Sequence, residues 1–431
     1  MVTGKELVII GNSHAGLAAL QSIRDVDPKC SITIITREEA EPYSPTSLAA
    51  FIAGEIREEN LKLKNLSFYS DMNASILFGR QVEDLNPKEK ETTLADGAKL
   101  GYDQVLVATG SVPIVPPISG LSKKEALTLR TVEDAKRIME LAKSSKKAVI
   151  IGAGLIGMEV AMSLRKRGLD VVLVEKEKRV LPLYFDDDAA SIIEGIYREQ
   201  GIKVIKGNQL INVEKGVNAQ RLSLESGDRI EADFTLVAVG MRPNVEFILN
   251  SGIEIGEGVL VNERLQTSAP SVYAAGDVAQ AKGFFGDGRI VTPTVLNAVN
   301  QGKVAGSNMV GQAKEFEGSL PMNIFNFFGN VAFSIGISLS EGKDEAVKVL
   351  KKIDKENQSF RKLVITDGKL VGCTMINQLV EAGLCQAMIR QGWEVDDVVE
   401  HFDNDLASAF RRTVINNSGK EMKRQREEED R

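Results

Sequence analysis

Short runs of apolar residues recur along the chain, with helical stretches between several of them. Residues 7–10, 32–35, 148–151 and 171–174 are apolar at every position except Thr33. A strand that is apolar on both faces is typical of a parallel sheet covered by helices, whereas a half-exposed strand would alternate. The pattern therefore predicts an α/β chain built from βαβ units.

The first unit opens with a glycine-rich turn. Residues 7–10 lead into residues 11–16 (Gly-Asn-Ser-His-Ala-Gly) and a helical stretch, and the strand at 32–35 follows about one helix later. In such a unit Gly11 permits the tight turn and Gly16 lets the helix pack close to the strand. The helix N-terminus then faces the pyrophosphate of a dinucleotide.

Two positions depart from the dinucleotide-binding fingerprint. Ser13 replaces the middle glycine, so its side chain either points away from the phosphates or bonds to them. Thr36 stands where an acidic residue is expected at the end of the second strand. Taken alone, this loop is as compatible with a turn of no special role as with a nucleotide site.

The second unit matches the fingerprint throughout. Residues 152–157 read Gly-Ala-Gly-Leu-Ile-Gly, the predicted helix ends at Gly168, and the next strand ends on Glu175. A carboxylate at Glu175 accepts hydrogen bonds from the ribose diol of NAD and repels the 2′-phosphate of NADP. The sequence thus favours NAD over NADP, a preference softened by the neighbouring cations Lys176, Lys178 and Arg179.

Length and composition are those of a globular protein with two or three domains. The chain has 431 residues, of which 43% are hydrophobic and 26% charged. The formal net charge of -7 argues against general nucleic-acid binding. No apolar run is long enough to span a bilayer, and the first strand leaves no room for a signal peptide, so a cytoplasmic protein is expected.

Few side chains are available for reactive chemistry. The cysteines Cys30, Cys373 and Cys385 form no Cys-x-x-Cys pair, and the histidines are His14 and His401 alone. This excludes a disulfide scaffold, and no metal site is expected. A bound cofactor is therefore expected to supply the chemistry.

Three further segments carry a family resemblance. Residues 102–110 form an apolar strand ending in Ala-Thr-Gly, residues 234–243 repeat that pattern, and residues 267–277 end in Ala-Ala-Gly-Asp. With the two glycine-rich loops, this order resembles the FAD-dependent pyridine nucleotide–disulfide oxidoreductase superfamily over nearly the whole chain. The resemblance implies FAD and NAD as cofactors, with Asp277 bonding a ribityl hydroxyl of FAD.

The resemblance also implies a domain plan: two Rossmann-like dinucleotide-binding domains, for FAD and NAD, and a small α+β C-terminal domain. FAD would be held by residues 1–113 and 244–320, and NAD by residues 114–243, with hinges at prolines in these boundaries. Residues 321–416 would form a domain for dimerisation or partner contact.

Inside the C-terminal region, turn and periodicity signals predict particular elements. An Asp-Gly turn at 367–368 joins the strands predicted at 360–365 and 370–376 into a β-hairpin, and residues 379–390 form a helix. The polar segment 417–431 is expected to be a disordered tail.

The resemblance assigns site residues one by one. For FAD it implies Gly11, Ser13, His14, Ala15, Gly16, Thr36, Arg37, Ser44, Pro45, Ser47, Val82, Ala108, Thr109, Gly110, Arg130, Gly276, Asp277 and Thr294. For NAD it implies Gly152, Gly154, Leu155, Ile156, Gly157, Glu159, Glu175 and Gly240. No side chain is assigned a catalytic role apart from Glu159, a candidate beside the nicotinamide.

The segment that lies beside the flavin in this family lacks a redox-active cysteine. Alignment through Leu48 and Gly54 puts Thr46 where NADH oxidases and coenzyme A–disulfide reductases keep a single cysteine. Because a hydroxyl cannot undergo thiol–disulfide exchange, disulfide reductase activity is not expected. Pro45 likewise replaces the lysine in the Tyr-Ser-Lys-Pro segment of rubredoxin reductases.

Three side chains keep two interpretations each. Without that lysine, Glu159 either pairs with another cation or lies unpaired near the nicotinamide with a raised affinity for protons. His14 either donates to phosphate or packs over the flavin or adenine. His401 is interpreted as a surface residue, and the phenylalanine cluster at 325, 327, 328 and 333 as core in preference to an interaction patch.

A finer resemblance is carried by residues 9–20, 43–46, 283–285 and 327–329. They look like the FAD subunits of phenylglyoxylate dehydrogenase and tungsten aldehyde oxidoreductase complexes. The leading hypothesis is an NAD(H)-linked flavin subunit that exchanges electrons with an iron–sulfur, ferredoxin-like partner in a complex oxidising 2-oxoacids or aldehydes. A homodimer of this chain is kept open. The alternatives are a free-standing rubredoxin or ferredoxin reductase or an NADH oxidase and, from another class, a flavin-bearing structural or regulatory subunit.

Overall fold

A computed structural model describes residues 5–216, 219–342, 346–378 and 382–429, with side chains in the last helix described as far as residue 419. The chain divides into two compact units. Unit 1 comprises Met1–Pro116, Leu127–Lys143 and Val239–Leu320, and unit 2 comprises Pro117–Ala126, Ser144–Ala238 and Pro321–Arg431. Within the described ranges, no helix is both long and apolar enough to cross a membrane.

The units differ from the predicted domain plan in several places, and residues 114–116 and 239–243 of the predicted NAD-binding domain lie in unit 1. Residues 127–143, which the plan put in the NAD-binding domain, belong to unit 1. They are held there because the Arg130 guanidinium donates to the carbonyl of Ser111 and the amide of Val132 donates to the Tyr43 hydroxyl. The C-terminal region groups with residues 144–238 in unit 2 and does not stand as a separate unit.

In the first half of the chain, βαβ units are separated by runs of consecutive strands. Up to residue 144 they are β1 (Glu6–Ile10), α1 (His14–Val26), β2 (Ser31–Ile35), α2 (Leu48–Ala53), α3 (Ser67–Asp71), β3 (Ser75–Leu77), β4 (Val82–Asn86), β5 (Glu91–Leu94), β6 (Lys99–Gly101), β7 (Gln104–Val107), β8 (Ser111–Pro113) and α4 (Val132–Ser144). They continue as β9 (Lys147–Ile151), α5 (Leu155–Lys166), β10 (Asp170–Val174), α6 (Asp187–Glu199), β11 (Lys203–Ile205), β12 (Leu210–Lys215), β13 (Gln220–Leu224), β14 (Arg229–Ala232) and β15 (Phe234–Val237).

The second half completes both units. It contains β16 (Met241–Pro243), β17 (Val259–Leu260), β18 (Val272–Ala274), β19 (Ala279–Lys282), β20 (Arg289–Ile290) and α7 (Val295–Met309). These are followed by β21 (Met322–Phe327), β22 (Asn330–Gly336), β23 (Val347–Asp354), β24 (Ser359–Thr366), β25 (Lys369–Ile376), α8 (Ala382–Gln391), α9 (Asp396–Glu400) and α10 (Leu406–Glu429).

Unit 1 is built on a parallel sheet with the strand order β3-β2-β1-β7-β18. Ile9 in the central strand pairs with Ile34 on one side and Leu106 on the other, and all three side chains are fully buried. This order and the α1 crossover confirm the predicted Rossmann-like fold. Smaller sheets, β4-β5-β6, β16-β8 and β17-β19-β20, complete the unit.

Helices α1 and α7 pack against each other through small residues. A Cβ added at Gly302 would lie 2.2 Å from the carbonyl oxygen of Ala15, and one at Gly306 would lie 2.5 Å from that of Ala19. Such distances leave no space for a side chain, so the two backbones are in direct contact. The two helices run in the same direction, and the contact puts the middle of α7 beside the first turns of α1.

Unit 2 contains the second predicted Rossmann-like sheet, with the order β11-β10-β9-β15 and all strands parallel. Helix α5 ends at Lys166, close to the predicted cap, and the amide of Gly168 donates to the carbonyl of Arg165. An antiparallel sheet, β12-β13-β14, follows it.

The C-terminal part of unit 2 is an antiparallel sheet, β21-β22-β25-β24-β23, with helices α8 to α10. The predicted hairpin is present as β24 and β25, joined by Asp367 (φ 51°) and Gly368 (φ 71°), since both turn residues of a type I′ turn have positive φ. The predicted helix 379–390 is observed from Ala382, and residues 379–381 lie outside the described residues.

The phenylalanines of the C-terminal sheet form a core, as predicted. Phe325, Phe327 and Phe333 are at most 1% exposed, and the rings of Phe325 and Phe327 stack 4.9 Å apart. The half-buried Phe328 makes an edge contact with Tyr197 of α6. These aromatic contacts join the C-terminal sheet to α6 within unit 2.

The C-terminal tail differs from the prediction. Residues expected to be disordered from position 417 continue helix α10 as far as Glu429, and residues 430 and 431 lie outside the described residues. The physical reason is that lysine, arginine, glutamate, glutamine and methionine, which dominate this stretch, are good helix formers. Polar side chains do not pack into a core, but their helix propensity still favours a helix.

Replacing Gly302 by alanine tests the α1–α7 contact. Because the new Cβ meets the backbone of Ala15, we expect the variant to lose about 1–3 kcal/mol of stability in thermal or urea unfolding. The matched control is Gly383→Ala in α8, where an added Cβ has open space, and which should gain about 0.5–1 kcal/mol. Equal effects of the two substitutions would contradict the packing described.

Candidate functional site

The strands of the unit 1 parallel sheet end at one edge, where the predicted FAD residues follow them. Gly11 comes after β1, Thr36 after β2, Ala108 after β7, and Gly276 shortly after β18. Parallel strands share one direction, so their carboxyl ends lie side by side. The strand order reverses between β1 and β7, and doubly wound sheets bind ligands in the crevice at that position.

The first glycine-rich loop is shaped by close backbone contacts. A Cβ at Gly11 would lie 2.1 Å from the carbonyl oxygen of Ala108, and one at Gly16 would lie 2.1 Å from that of Gly11. Ser13 is the N-cap of α1, but its side chain makes no capping hydrogen bond, and the first turn of α1 holds no acidic residue. The amides at this helix end are therefore available to an anion such as a pyrophosphate.

Asp277 lies in a polar network beside this loop. Its Oδ2 accepts a hydrogen bond from the Ser111 hydroxyl at 3.0 Å, and the carbonyl of Ser111 accepts one from Arg130 Nε at 3.1 Å. The amide of Gly276 donates to Gln301 Oε1 at 2.8 Å. Neither Ser111 nor Gln301 is among the residues predicted from the sequence. Ser111 directly follows the Ala-Thr-Gly motif, which is the signal that points to it.

The N-terminus of α7 carries buried polar atoms without a partner. Thr294 caps the helix through the amide of Asn297, whose own side chain is 1% exposed. In the described part of the chain, Asn297 Oδ1 and Thr292 Oγ1 are buried with no hydrogen-bond partner. A buried acceptor without a hydrogen bond costs free energy. The pyrimidine edge of an isoalloxazine ring carries an N–H donor between two acceptors. This edge would supply the missing hydrogen bond.

The segment after β2 is fixed by its side chains. The Tyr43 hydroxyl donates to Glu38 and accepts from the amide of Val132 at 3.2 Å. Residues 44–47 form a single turn through Pro45, in which the amide of Ser47 donates to the carbonyl of Ser44 at 3.0 Å. His14 lies against this turn, with Nε2 3.3 Å from Ser44 Oγ.

The end of β2 has no carboxylate, as the sequence showed. The Thr36 hydroxyl accepts from the amide of Glu38 at 3.3 Å, and Arg37 is exposed. Val82 is 7% exposed and belongs to the hydrophobic core. Thr109 is tied to the loop after β16, because its hydroxyl donates to the carbonyl of Asn244 at 3.0 Å.

The second glycine-rich loop, in unit 2, has the same construction. A Cβ at Gly157 would lie 2.0 Å from the carbonyl oxygen of Gly152, whereas one at Gly154 would meet nothing within 4 Å. Helix α5 begins at Leu155 with no side-chain cap and no acidic residue in its first turn. Open space in front of uncapped amides again fits a pyrophosphate. Gly240, the other predicted NAD glycine, falls in unit 1.

Glu175 is held at the end of β10 by backbone donors. It is 8% exposed and accepts from the amides of Ala153 and Glu177 at 2.6 and 2.9 Å. Arg179, the strongest candidate for a 2′-phosphate ligand, donates instead to Asp187 and to two backbone carbonyls. Lys176 and Lys178 are exposed. The geometry favours a free ribose diol at this carboxylate.

Glu159 is unpaired among the described residues, as in the second of its two interpretations, and its position near the nicotinamide stays a prediction. Its half-buried carboxyl makes no ion pair or hydrogen bond with the described residues, and burial raises its pKa to about 7. Its neighbour Tyr197 donates to the carbonyl of Met158 at 3.1 Å. Burial, and then the Glu159 charge, raise the pKa of Tyr197 well above its ordinary value. Glu159 can therefore hold a proton at neutral pH.

The cysteines are not arranged for catalysis. All three are buried and outside any disulfide, and the described residues contain no cluster of three or more potential metal ligands. Arg24 donates to Cys30 Sγ at 3.1 Å, but burial dominates and raises the pKa of this thiol. His401 lies at the C-terminal end of α9 with its side chain 38% exposed and paired with Asp397.

Comparisons with known proteins agree with this geometry. The family description "Pyridine nucleotide-disulphide oxidoreductase" matches residues 5–302, and "Rubredoxin NAD+ reductase C-terminal domain" matches residues 321–393. The epsilon subunit of NADH-dependent phenylglyoxylate dehydrogenase from Aromatoleum evansii is 35% identical over 398 residues, 92% of this chain and 94% of that protein.

Two further relatives are electron-transfer reductases. Rubredoxin-NAD(+) reductase from Pseudomonas putida is 31% identical over 308 residues, 71% of this chain and 80% of that protein. In the crystal structure of the covalent putidaredoxin reductase–putidaredoxin complex, a chain 25% identical to this one matches with a TM-score of 0.86, over 96% of this chain and 98% of that chain. The comparisons support FAD and NAD(H) as the cofactors, and the two glycine-rich edges fit them.

Replacing Asp277 by alanine is expected to loosen FAD. A charge-assisted hydrogen bond to a ribityl hydroxyl contributes about 1.5–3 kcal/mol, so the dissociation constant should rise by roughly 10- to 100-fold. Titration of FAD-free protein with FAD, followed by flavin fluorescence, measures it. Asp25→Ala, which removes an exposed carboxylate from α1, is the control. Unchanged affinity in Asp277→Ala would show that the assigned role is wrong.

Glu159→Gln is expected to stabilise the protein at alkaline pH. The carboxyl of Glu159 ionises near pH 4.5 when unfolded and near pH 7 when folded, so the cost of its burial grows between these values and is complete above pH 7. At about 1.4 kcal/mol per pKa unit, the variant should exceed the parent by up to about 3 kcal/mol at pH 8.

Urea unfolding of both proteins at pH 4, 6 and 8 measures this difference, with FAD bound and no nucleotide added. The advantage of the glutamine variant should vanish at pH 4, where the Glu159 carboxyl is mostly protonated in the folded and in the unfolded protein. A constant difference across this range would contradict the raised pKa.

Proposed function

Because this chain belongs to the pyridine nucleotide-disulphide oxidoreductase family and is an enzyme that uses FAD and NAD(H), we propose that it is the flavin subunit of a larger oxidoreductase complex. In this role it exchanges electrons between NAD(H) and an iron–sulfur partner protein. The complex would oxidise a 2-oxoacid or an aldehyde. The observation that carries the proposal is the threonine, in place of a thiol, in the segment predicted to lie beside the flavin.

Bound FAD supplies the conversion between two-electron chemistry with the nicotinamide and one-electron chemistry with a metal centre. The chain's own task is to bind and orient both cofactors. In the proposal, the amides at the start of α1 and α5 hold the two pyrophosphates, and Asp277 and Glu175 hold the ribityl chain and the NAD ribose. Thr292, Thr294 and Asn297 face the flavin ring.

The absence of a thiol at position 46 supports direct transfer to an external acceptor. Ser44, Thr46 and Ser47 supply hydroxyls in the turn at 44–47, and a hydroxyl cannot cycle between thiol and disulfide. Each of the three cysteines is buried as a free thiol. Electrons that reach the flavin therefore have no relay through a disulfide.

The relatives support an iron–sulfur or rubredoxin-like acceptor. One of them is a rubredoxin reductase by name, and another is a reductase joined covalently to putidaredoxin. The C-terminal region matches the C-terminal domain of rubredoxin reductases, so we assign partner or dimer contact to residues 321–416. The phenylglyoxylate dehydrogenase relative is by name a subunit, which supports a place in a larger complex. Free thiols and the use of NAD(H) fit a cytoplasmic location.

A free-standing rubredoxin or ferredoxin reductase is the second candidate, favoured by the match of the C-terminal region. Purification from native cells under mild conditions separates the two. A stable co-purifying iron–sulfur chain supports the subunit role. A lone monomer or homodimer that reduces added rubredoxin supports the free-standing reductase.

We expect the NADH-reduced protein to transfer electrons to dyes and small iron–sulfur or rubredoxin carriers but not to glutathione disulfide, coenzyme A disulfide or lipoamide. Alkylation after NADH reduction should leave dye reduction intact, since no cysteine is proposed to cycle. The measurement is steady-state acceptor reduction, with FAD content recorded before and after alkylation. Loss of turnover with FAD still bound would contradict the proposal and indicate a redox thiol.

A further inference from the structure

A line of hydrogen-bonding side chains runs from His14 to the surface of unit 1. His14 Nε2 lies 3.3 Å from Ser44 Oγ, and Ser44 Oγ lies 2.8 Å from Thr46 Oγ1. Thr46 is exposed, whereas His14 and Ser44 are half-buried. Hydroxyl groups both donate and accept, so a proton can pass along such a line by successive transfer.

The inner end of this line lies among the residues assigned to FAD. His14 is the first residue of α1, directly after the glycine-rich loop, and the Asp277 carboxylate is close enough to act on its charge. Burial lowers the pKa of His14, and Asp277 opposes that effect. A lowered pKa favours the neutral imidazole, which has a ring nitrogen able to accept a proton.

The proposed reaction requires an exit for a proton. NADH gives up a hydride, which is two electrons and one proton, while a one-electron carrier accepts electrons alone. The balance is one NADH and two oxidised carriers giving one NAD⁺, two reduced carriers and one proton. Family members that keep a cysteine at the position aligned with Thr46 have a thiol there, whereas this chain has a hydroxyl.

Other ionisable groups of this part of unit 1 are committed elsewhere. Tyr43 donates to Glu38, and burial raises its pKa far above neutrality. Asp277 accepts from Ser111, and Arg130 donates to a backbone carbonyl. Among the ionisable groups named here, His14 is the one that is hydrogen-bonded to the line of hydroxyls ending at the exposed Thr46.

We propose that His14, Ser44 and Thr46 form the path by which the proton released during flavin reoxidation reaches solvent, with His14 as the group that takes it up. This inference rests on the proposed one-electron function. His14 takes the proton on Nδ1 and releases the proton on Nε2 to Ser44 Oγ, and the hydroxyls of Ser44 and Thr46 pass it to solvent. The path also gives Thr46, which stands where relatives keep a cysteine, a role in proton transfer.

The first test reads the protonation of His14 directly. The chain has two histidines, so His401→Gln leaves His14 as the single histidine signal in ¹⁵N-histidine NMR of the FAD-loaded protein. Because a reduced flavin carries added negative charge, we expect the pKa of His14 to be higher by about one unit in dithionite-reduced protein than in oxidised protein. Identical values in the two states would overturn the proposal.

The second test compares substitutions that keep or remove the hydroxyls. Thr46→Val preserves the shape and removes the outer hydroxyl, Ser44→Ala breaks the middle, and Thr46→Ser is the matched control. After premixing with NADH, proton release on reoxidation by ferricyanide is followed with a pH-indicator dye in weak buffer. We expect release to slow by at least about tenfold in Thr46→Val and Ser44→Ala, because a positioned proton acceptor contributes about 10²–10⁴-fold, and to remain near the parent rate in Thr46→Ser.

The outcomes separate this inference from the proposed function. If ferredoxin-like carriers are reduced but the valine and alanine variants release protons at the parent rate, the path is wrong and the function stands. If no one-electron carrier is reduced, the function fails, and the His14 measurement still decides whether this histidine is coupled to the flavin.

Discussion

Direct backbone contact on both sides of helix α1 is the constraint on which unit 1 depends. On one side, Gly16 lies against the carbonyl of Gly11, and on the other, Gly302 and Gly306 of α7 lie against the carbonyls of Ala15 and Ala19. These contacts leave no space for side chains. They place the middle of α7 beside the first turns of α1, and a Cβ at Gly276 would lie 3.1 Å from that of Ala15, so the loop at Asp277 lies close against the start of α1.

The helix termini show a second physical pattern. Helix α6 begins with Asp186 as a capping side chain and carries acidic residues in its first turn, and α7 is capped by Thr294. By contrast, α1 and α5 begin after glycine-rich loops with no side-chain cap and no acidic first turn. An uncapped N-terminus with partial positive charge is stabilised by an external anion. The chain thus caps α6 and α7 with its own side chains and leaves the N-termini of α1 and α5 for dinucleotide phosphates.

Two ionisable groups of unit 2 differ in whether they have a partner among the described residues. In unit 2, Lys362 is 1% exposed and pairs with Asp186 at 2.9 Å, so a buried ammonium is matched by a carboxylate that also caps α6. Glu159 has no such partner among the described residues, and burial therefore shifts its pKa to about 7. An ionisable group left unpaired in a site where others are paired marks a position that responds to charge brought by a cofactor.

The amino-acid sequence by itself determined the elements whose signal is local. Apolar runs on both faces predicted the parallel strands, the glycine-rich loops predicted the two Rossmann-like units, and the Asp-Gly pair at 367–368 predicted the hairpin, because each depends on neighbours along the chain. The same local view missed the helical continuation of the tail, since polarity was taken as disorder although the residues are helix formers.

The tertiary structure decided what depends on residues far apart in the chain. Hydrogen bonds join Ser111 to Asp277 and place His14 beside Ser44. Arg179 pairs with Asp187 and not with Glu175. Residues 127–143 belong to unit 1. The tertiary structure also selected the unpaired state for Glu159, because a carboxyl's partner and its burial are properties of packing. A sequence specifies which groups are present, but their distances, and so their pKa values and hydrogen bonds, arise when strands and helices distant in the chain are brought together.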